Sequence, residues 1–357
     1  MEQLTLISDD RTTTVDADLA ADRVLLDPGQ LEAGTGWRLK PEGLCRGDVC
    51  VPTTMWPELV EDGRIDLAVF ARLTDQIVVT DAVERIAALG PSASRRSSEM
   101  ASLQAPDFTV DTIDGVAVSL GDFTGRKKLL VAFSSWCGCR YDLPSWEQIN
   151  QELGPQGLSV IAVAVDEDPE AVRPWVTEAE ATFPVLLDRD HVLTERYSLV
   201  NVPTVIWIDE ENQVVRPNDV AFSDDQFKEF HGIDSAPHLA ALRRWVTDDE
   251  LPLTDDDDVR AHQMPPTDDE QRARLEFRIA LELRRDGRTE AADAHFDQAI
   301  ALAPLDFTIR RAVMPLRGQD PFFGEEFLEL YEEWEAVGRP YYGQRTDLSD
   351  ERFGQPD

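Results

Sequence analysis

Short apolar strand patterns alternate with helical stretches between residues 105 and 248. The strand patterns lie at residues 129–133, 159–165, 183–188, 204–209 and 213–216. A helical stretch over residues 139–153 separates the first two, and an amphipathic helix over residues 238–246 closes the segment. This order is typical of βαβ units. The sequence therefore predicts an α/β domain with a central sheet flanked by helices.

Two cysteines lie where the first of these strands gives way to a helix. The stretch reads Ser134-Ser-Trp-Cys137-Gly-Cys139-Arg-Tyr-Asp-Leu-Pro144. A thiolate at the start of a helix faces unpaired backbone N–H groups and the positive end of the helix dipole, and both lower the pKa of the thiol. Because the thiolate is the nucleophile in disulfide exchange, this position predicts a redox-active pair with Cys137 and Cys139 as catalytic residues.

The segment resembles the thioredoxin superfamily, and within it the ResA/TlpA and AhpC/TSA-type redoxin domains. The resemblance rests on the Trp136-Cys137 stretch, on the lead-in over residues 105–123 and on Val202-Pro203-Thr204 just before a strand. It implies a thioredoxin-like sheet and thiol–disulfide oxidoreductase activity, with no cofactor and with electrons from a partner thiol system. It also implies a cis Pro203 that, with Val202 and Thr204, holds extended substrate beside the sulfurs, and a Trp136 that shields the sulfur.

The spacing between the cysteines departs from the family, which has two intervening residues where this chain has only Gly138. Aligned backwards from Arg140, Trp136 takes the position of the nucleophile. Aligned forwards from the strand, Cys137 keeps that position and one residue is deleted, which is the alignment we prefer. The smaller ring of a Cys137–Cys139 disulfide predicts a strained pair that is more oxidising than thioredoxin. Gly138 is expected to supply the backbone angles that this ring needs.

Other interpretations of the cysteines stay open. The thiols could be inert in a redox-inactive thioredoxin fold that serves as an interaction or scaffold protein through its helical tail. Four cysteines could instead form a metal site. A thiol peroxidase is disfavoured because the stretch before Cys137 lacks the proline and threonine of a peroxidase loop. Arg140 is expected either to stabilise a thiolate or to face solvent. Asp142 stands where the family often carries an acid, although a position at the surface is favoured, and no histidine is assigned a role.

Residues 1–90 have the alternating patterns and turn signals of a small α+β domain. Its unusual chemistry is Cys45-Arg-Gly-Asp-Val-Cys50. The two cysteines could be semi-buried thiols, metal ligands, or a second dithiol that exchanges electrons with Cys137 and Cys139.

The rest of the chain is predicted as linkers and helices. Residues 91–104 are small and polar, and residues 249–266 contain an acidic run, so both are expected to be linkers. Residues 267–342 are strongly helical, and residues 275–304 resemble one tetratricopeptide (TPR) unit. A solenoid needs about three such units to be stable. We therefore expect this segment to pack against the α/β domain of residues 105–248 or to form a homodimer contact. Residues 343–357 are expected to be a tail.

The net charge of the chain limits the classes of partner that it can bind, and its hydropathy indicates where in the cell it is expected. The chain has 70 acidic against 34 basic residues, a formal net charge of −36. Such a charge repels phosphate backbones and anionic lipid, which argues against nucleic acid and membrane surfaces as partners. The sequence has no long apolar run and no signal-peptide pattern at Met1, so a cytoplasmic protein is expected. Its expected partner is a disulfide-bearing protein or a small thiol.

Overall fold

The computed structural model describes residues 1–20 and 23–340, which divide into two compact units. The first unit comprises residues 1–98 and 265–304, and the second comprises residues 99–264 and the chain from residue 305 onwards. The tail predicted for residues 343–357 lies outside the described residues. Across the described parts of the chain, no helix combines the length and the apolar character needed to cross a bilayer.

The first unit is built on a seven-stranded sheet. Its N-terminal elements are β1 (Glu2–Ser8), β2 (Arg11–Ala20), β3 (Arg23–Leu26), α1 (Pro28–Thr35), β4 (Arg38–Lys40), β5 (Gly43–Arg46), β6 (Val49–Val51), β7 (Val60–Glu61), β8 (Arg64–Asp66), α2 (Leu67–Leu73), β9 (Gln76–Asp81) and β10 (Ile86–Pro91). The helix α3 (Ala93–Ala101) follows, and the chain passes from the first unit to the second within it. The large sheet has the order β7-β8-β3-β2-β1-β10-β9, and β4, β5 and β6 form a separate three-stranded sheet. The mixture of strands and helices agrees with the predicted α+β character.

The second unit contains a five-stranded sheet. Its elements before residue 265 are β11 (Thr109–Asp111), β12 (Ala117–Ser119), β13 (Lys127–Phe133), α4 (Leu143–Leu153), β14 (Leu158–Ala164), α5 (Pro169–Glu178), β15 (Val185–Leu187), α6 (Val192–Arg196), β16 (Thr204–Ile208), β17 (Val214–Asp219), α7 (Lys228–His231), α8 (Ser235–Asp248) and α9 (Asp256–Ala261). The sheet order is β15-β14-β13-β16-β17, with β13 parallel to β14 and antiparallel to β16. Every residue of the central strand β13 is buried, as expected where helices cover both faces of a sheet. The α/β prediction for this segment is confirmed.

The C-terminal helices divide between the two units. They are α10 (Asp268–Arg285), α11 (Thr289–Leu302), α12 (Phe307–Leu316) and α13 (Glu325–Ala336). In the first unit α10 packs on α11 and against β10, and Gln271 donates a hydrogen bond to the Pro91 carbonyl at 3.0 Å. In the second unit the Phe307 N–H donates to the Val200 carbonyl at 2.8 Å. The segment predicted as one helical tail is therefore split, and the TPR assignment stays a prediction.

The segments predicted as linkers contain helices, because polar side chains anchor them where apolar residues are few. In α3, the Ser92 hydroxyl accepts the Arg95 N–H at 3.1 Å. In α9, the Asp255 carboxylate accepts the N–H groups of Asp257 and Asp258. The acidic run thus supplies a helix N-cap as well as charge.

Candidate active site

The cysteine pair lies just beyond the C-terminal end of β13. Cys137 precedes a short 3-10 helix over Gly138–Asp142, which leads into α4, and its sulfur accepts the Cys139 backbone N–H at 3.3 Å. The prediction that a sulfur here meets an otherwise unpaired N–H is therefore matched by the geometry. The Cys137 and Cys139 sulfurs form a disulfide, with their Cα atoms 5.2 Å apart. Only 4% of Cys137 and 3% of Cys139 are exposed.

A buried carboxylate at the end of the neighbouring strand holds the loop that carries Cys137. Asp166, beyond β14, accepts hydrogen bonds from the Ser134 hydroxyl at 2.9 Å and from the hydroxyl and N–H of Ser135 at 2.5 and 3.0 Å. Burial raises the pKa of Asp166 to about 6, although the serine hydrogen bonds oppose the rise. The sequence analysis missed this residue, since its partners lie on another strand.

The loop before β16 lies against the Cys137 sulfur. The Val202–Pro203 peptide is cis, as the resemblance implies, and the Val202 carbonyl oxygen lies 3.4 Å from the Cys137 sulfur. Thr204 begins β16, where it pairs with Ala132, and its hydroxyl donates to the Asn201 carbonyl at 2.7 Å. Thr204 thus contributes to the sheet and the loop, whereas Val202 and Pro203 line the space above the sulfurs.

Arg311, on α12, contacts the same sulfur from the other side. Its Nη1 lies 3.7 Å from the Cys137 sulfur and its Nη2 donates to the Trp136 carbonyl at 3.4 Å. The guanidinium also stacks on the Trp136 ring, with its central carbon 5.0 Å from the ring centroid, so Trp136 packs beside the active site. Arg311 is only 4% exposed. The sequence does carry a signal for this buried position, because Phe307, Arg311 and Met314 are spaced so that they share one helix face.

Arg140 is half-buried, which corrects the prediction that it faces solvent, while its role toward a thiolate stays a prediction. Its Nη1 donates to the Ser135 carbonyl at 2.6 Å. Its guanidinium packs over the rings of Trp175 and Phe322, at 4.3 and 5.0 Å from their centroids. Arg140 therefore braces the cysteine loop from an aromatic pocket, and the arginine that contacts the nucleophile position is Arg311.

The structure shows a different constraint on Gly138 from the one predicted. It is not among the described glycines with positive φ, and it begins a 3-10 helix. A Cβ atom added to Gly138 would come within 2.7 Å of the Phe322 ring, closer than real Cβ contacts come. Close approach of an aromatic ring, and not backbone freedom, therefore explains the glycine.

Asp142 is buried, which corrects the expected surface position. It is 2% exposed, and its carbonyl accepts the Ser223 hydroxyl at 3.0 Å. Burial raises the pKa of Asp142 to about 9, and the neighbouring carboxylate of Asp224 adds to the rise. At neutral pH this side chain is therefore a neutral acid three residues after Cys139, able to hold or release a proton.

A cavity of about 540 Å³, counting the space at its open mouth, lies above the cysteines within the second unit. Cys137, Gly138, Cys139, Val202 and Pro203 form its floor. Its walls are aromatic and come from two segments, residues 222–231 and residues 307–331. His231 lines it and is neutral at neutral pH, since burial lowers its pKa to about 4. No histidine had been predicted at the site.

Cys45 and Cys50 form a disulfide across the β5–β6 hairpin of the first unit, with Cα atoms 4.1 Å apart. Cys45 is buried and Cys50 is exposed. A Glu42 carboxylate oxygen and the two sulfurs lie within 4.8 Å of one another. Sulfurs in a disulfide are not thiolates, so metal binding here would first require reduction. Electron exchange with Cys137 and Cys139 stays a prediction.

Comparison with known proteins agrees with this geometry. A family model described as Redoxin matches residues 100–235. The thiol-disulfide oxidoreductase ResA of Bacillus thuringiensis subsp. konkukian is 27% identical over 128 residues, covering 36% of this chain and 74% of ResA. The thioredoxin-like protein YneN of Bacillus subtilis is 32% identical over 115 residues, covering 31% of this chain and 66% of YneN.

Among solved structures, the thioredoxin domain of a thiol-disulfide oxidoreductase from Bacteroides vulgatus is 26% identical and covers 31% of this chain and 82% of that chain, with a TM-score of 0.29. The Redoxin match spans the strands β13 to β17, the two cysteines and Pro203 described above. Residues 100–235 therefore form a ResA/TlpA-like redoxin domain of the thioredoxin superfamily, and the protein is a thiol–disulfide oxidoreductase.

Proposed function

We propose that Cys137 is the nucleophile of this oxidoreductase and that Cys139 resolves the mixed disulfide. The observation that carries the proposal is the surroundings of the Cys137 sulfur, which meets the Cys139 N–H at 3.3 Å and the Arg311 guanidinium at 3.7 Å. A hydrogen bond to sulfur and a nearby positive charge both favour the thiolate over the thiol. Cys139 supplies the first N–H and sits where its sulfur can reach Cys137.

The proposed reaction has two exchange steps. The Cys137 thiolate attacks one sulfur of a substrate disulfide, a new S–S bond forms, and the first substrate thiolate leaves. Cys139 then loses its proton, attacks the Cys137 sulfur and releases the second substrate thiolate. Two electrons pass to the substrate, and an external thiol system returns them to the enzyme. Val202 and Pro203 form the surface along which the substrate lies.

The test is single-turnover oxidation of the reduced full-length protein by a small disulfide. The variants are made in the C45S/C50S background, which removes the second dithiol, and that double variant, with Cys137 and Cys139 intact, is the reference. C137S is then expected to lose the reaction, whereas C139S is expected to stop at a stable mixed disulfide on Cys137 that mass spectrometry detects. Oxidation of Cys139 in C137S as fast as in the reference, or a mixed disulfide on Cys139 when Cys137 is present, would contradict the assigned roles.

A further inference from the structure

The cavity above the cysteine pair restricts which disulfides can reach the sulfurs. Both cysteines are almost wholly buried, and the Phe322 ring lies directly on Gly138 between them. Phe322 is held in place by Phe227, with ring centroids 6.0 Å apart in an edge-to-face arrangement. The ring narrows the approach to the sulfurs, which hinders a disulfide held on the surface of a folded protein more than a small molecule that enters through the open mouth of the cavity.

The walls of the cavity indicate the character of the ligand. Phe230 and Phe323 face each other at 6.2 Å between ring centroids, and they are 41% and 52% exposed. Exposed aromatic rings around a buried reactive group are typical of a site that binds apolar groups. Deeper in, the Arg311 guanidinium donates to the Trp136 and Pro321 carbonyls and contacts Cys137. Its charge thus faces the thiolate, and the net charge of −36 repels anions from a distance.

We propose that this cavity is the substrate site and that it selects low-molecular-weight, uncharged disulfides with apolar or aromatic groups, with Phe322 excluding disulfides of folded proteins. This inference rests on the proposed function and adds its substrate class. Each turnover oxidises the Cys137–Cys139 dithiol and reduces one R–S–S–R molecule to two thiols. The proton lost by Cys139 and one from solvent go to the two leaving thiolates.

The experiment compares three disulfides in single turnover with the reduced, full-length protein. The probes are bis(2-pyridyl) disulfide, which is neutral and aromatic, glutathione disulfide, which is anionic, and insulin, whose disulfides lie in a folded protein. Each rate constant is divided by that of free dithiothreitol with the same probe, which removes intrinsic reactivity. The normalised rate is expected to be at least tenfold higher for the pyridyl probe than for either of the others.

The variant F322A tests the exclusion directly. Removing the ring is expected to raise the normalised insulin rate at least tenfold, with a smaller change for the pyridyl probe. L328A is the matched control, because Leu328 is an exposed apolar residue of α13 that does not line the cavity, and its rates should equal those of the wild type.

The outcomes separate the two proposals. Equal normalised rates for all three probes, or an F322A variant indistinguishable from L328A, would overturn the substrate class and leave the oxidoreductase function standing. If no probe oxidises Cys137 and Cys139, although both titrate as thiols in the unfolded protein, the proposed function fails and this inference fails with it.

Discussion

The Nη1 atom of Arg311 lies 3.7 Å from the Cys137 sulfur, although the two residues are 174 positions apart in the chain. Arg311 comes from α12, beyond the residues that match the redoxin family. The Cys137 sulfur is therefore contacted both by the redoxin domain and by α12.

Replacing Arg311 is expected to raise the pKa of the Cys137 thiol. An opposite charge within about 4–6 Å favours the ionised form of an acid, so R311M should raise the pKa of the Cys137 thiol. The measurement is the pH dependence of iodoacetamide alkylation, in a background of C45S, C50S and C139S where Cys137 alone reacts. R311K keeps the charge and should restore much of the low pKa.

Arg310 offers the matched control for this experiment. It precedes Arg311 on α12, but its guanidinium pairs with Glu333 away from the sulfur. R310M should therefore leave the alkylation profile unchanged. If R311M and R310M gave the same pKa for Cys137, Arg311 would have no electrostatic role at the sulfur.

Asp142 should make the folded state less stable as the pH rises. Its pKa is raised by burial and by Asp224 to about 9 in the folded protein, against about 4 in an unfolded chain. Between these two pKa values Asp142 carries a proton in the folded state but not in the unfolded chain. The free energy of unfolding that Asp142 contributes is therefore full at low pH and is lost as the pH rises towards 9. The loss is up to about 1.4 kcal/mol per pH unit. D142N should abolish this slope, as measured by urea unfolding at pH 5, 7 and 9.

A second variant identifies the cause of the raised pKa. D224N removes the neighbouring carboxylate but leaves Asp142 buried, so the pKa of Asp142 should fall and the total loss of stability between pH 5 and 9 should become smaller without disappearing. Identical slopes in the wild type and D142N would show that Asp142 is ionised in the folded protein.

His295 should add stability to the first unit at low pH. Burial acts to lower its pKa, but hydrogen bonds and charge from Glu276 and Asp81 outweigh burial and raise it. Protonated His295 therefore contributes stability fully below the unfolded pKa of about 6.5, and this contribution is lost as the pH rises through the folded pKa. In thermal melts, the advantage of the wild type over H295Q should shrink between pH 6 and 9. H262Q, at a helix end outside this cluster, is the control, and an equal loss in H262Q would refute the assignment.

The short spacing should make the cysteine pair a stronger oxidant than thioredoxin. A single residue between the cysteines closes a smaller disulfide ring than two residues do, and a strained disulfide is easier to reduce. The reduction potential should therefore lie above the value of about −270 mV for thioredoxin. Inserting one alanine after Gly138 should lower the potential, as measured in glutathione buffers. A potential unchanged by the insertion would contradict the role of ring size.

Local patterns were sufficient to predict much of the redoxin domain. The positions of β13, β14 and β16 follow from apolar runs, and the cysteine position follows from a strand that leads into a helix.

Long-range contacts explain what the sequence analysis missed. Asp142 is buried because the chain around Ser223 packs on it, and Gly138 is needed because of the Phe322 ring. Helix α3 was predicted as a linker because apolar content was the criterion, whereas its anchors are polar. The burial of Asp142 and the constraint on Gly138 thus depend on partners that no nearby sequence pattern identifies, whereas the anchor of α3 is local and was missed because only apolar content was weighed.

The most direct test of the oxidoreductase mechanism is whether Cys137 and Cys139 form one reversible two-electron couple. The full-length protein is equilibrated in glutathione buffers of graded potential, the thiols are trapped, and the digest is mapped by mass spectrometry, with Cys45 and Cys50 followed alongside. We expect a disulfide linking Cys137 to Cys139 that appears and disappears along a single two-electron curve in both directions. If no such disulfide forms at any potential, or if only Cys45–Cys50 titrates, the mechanism is wrong.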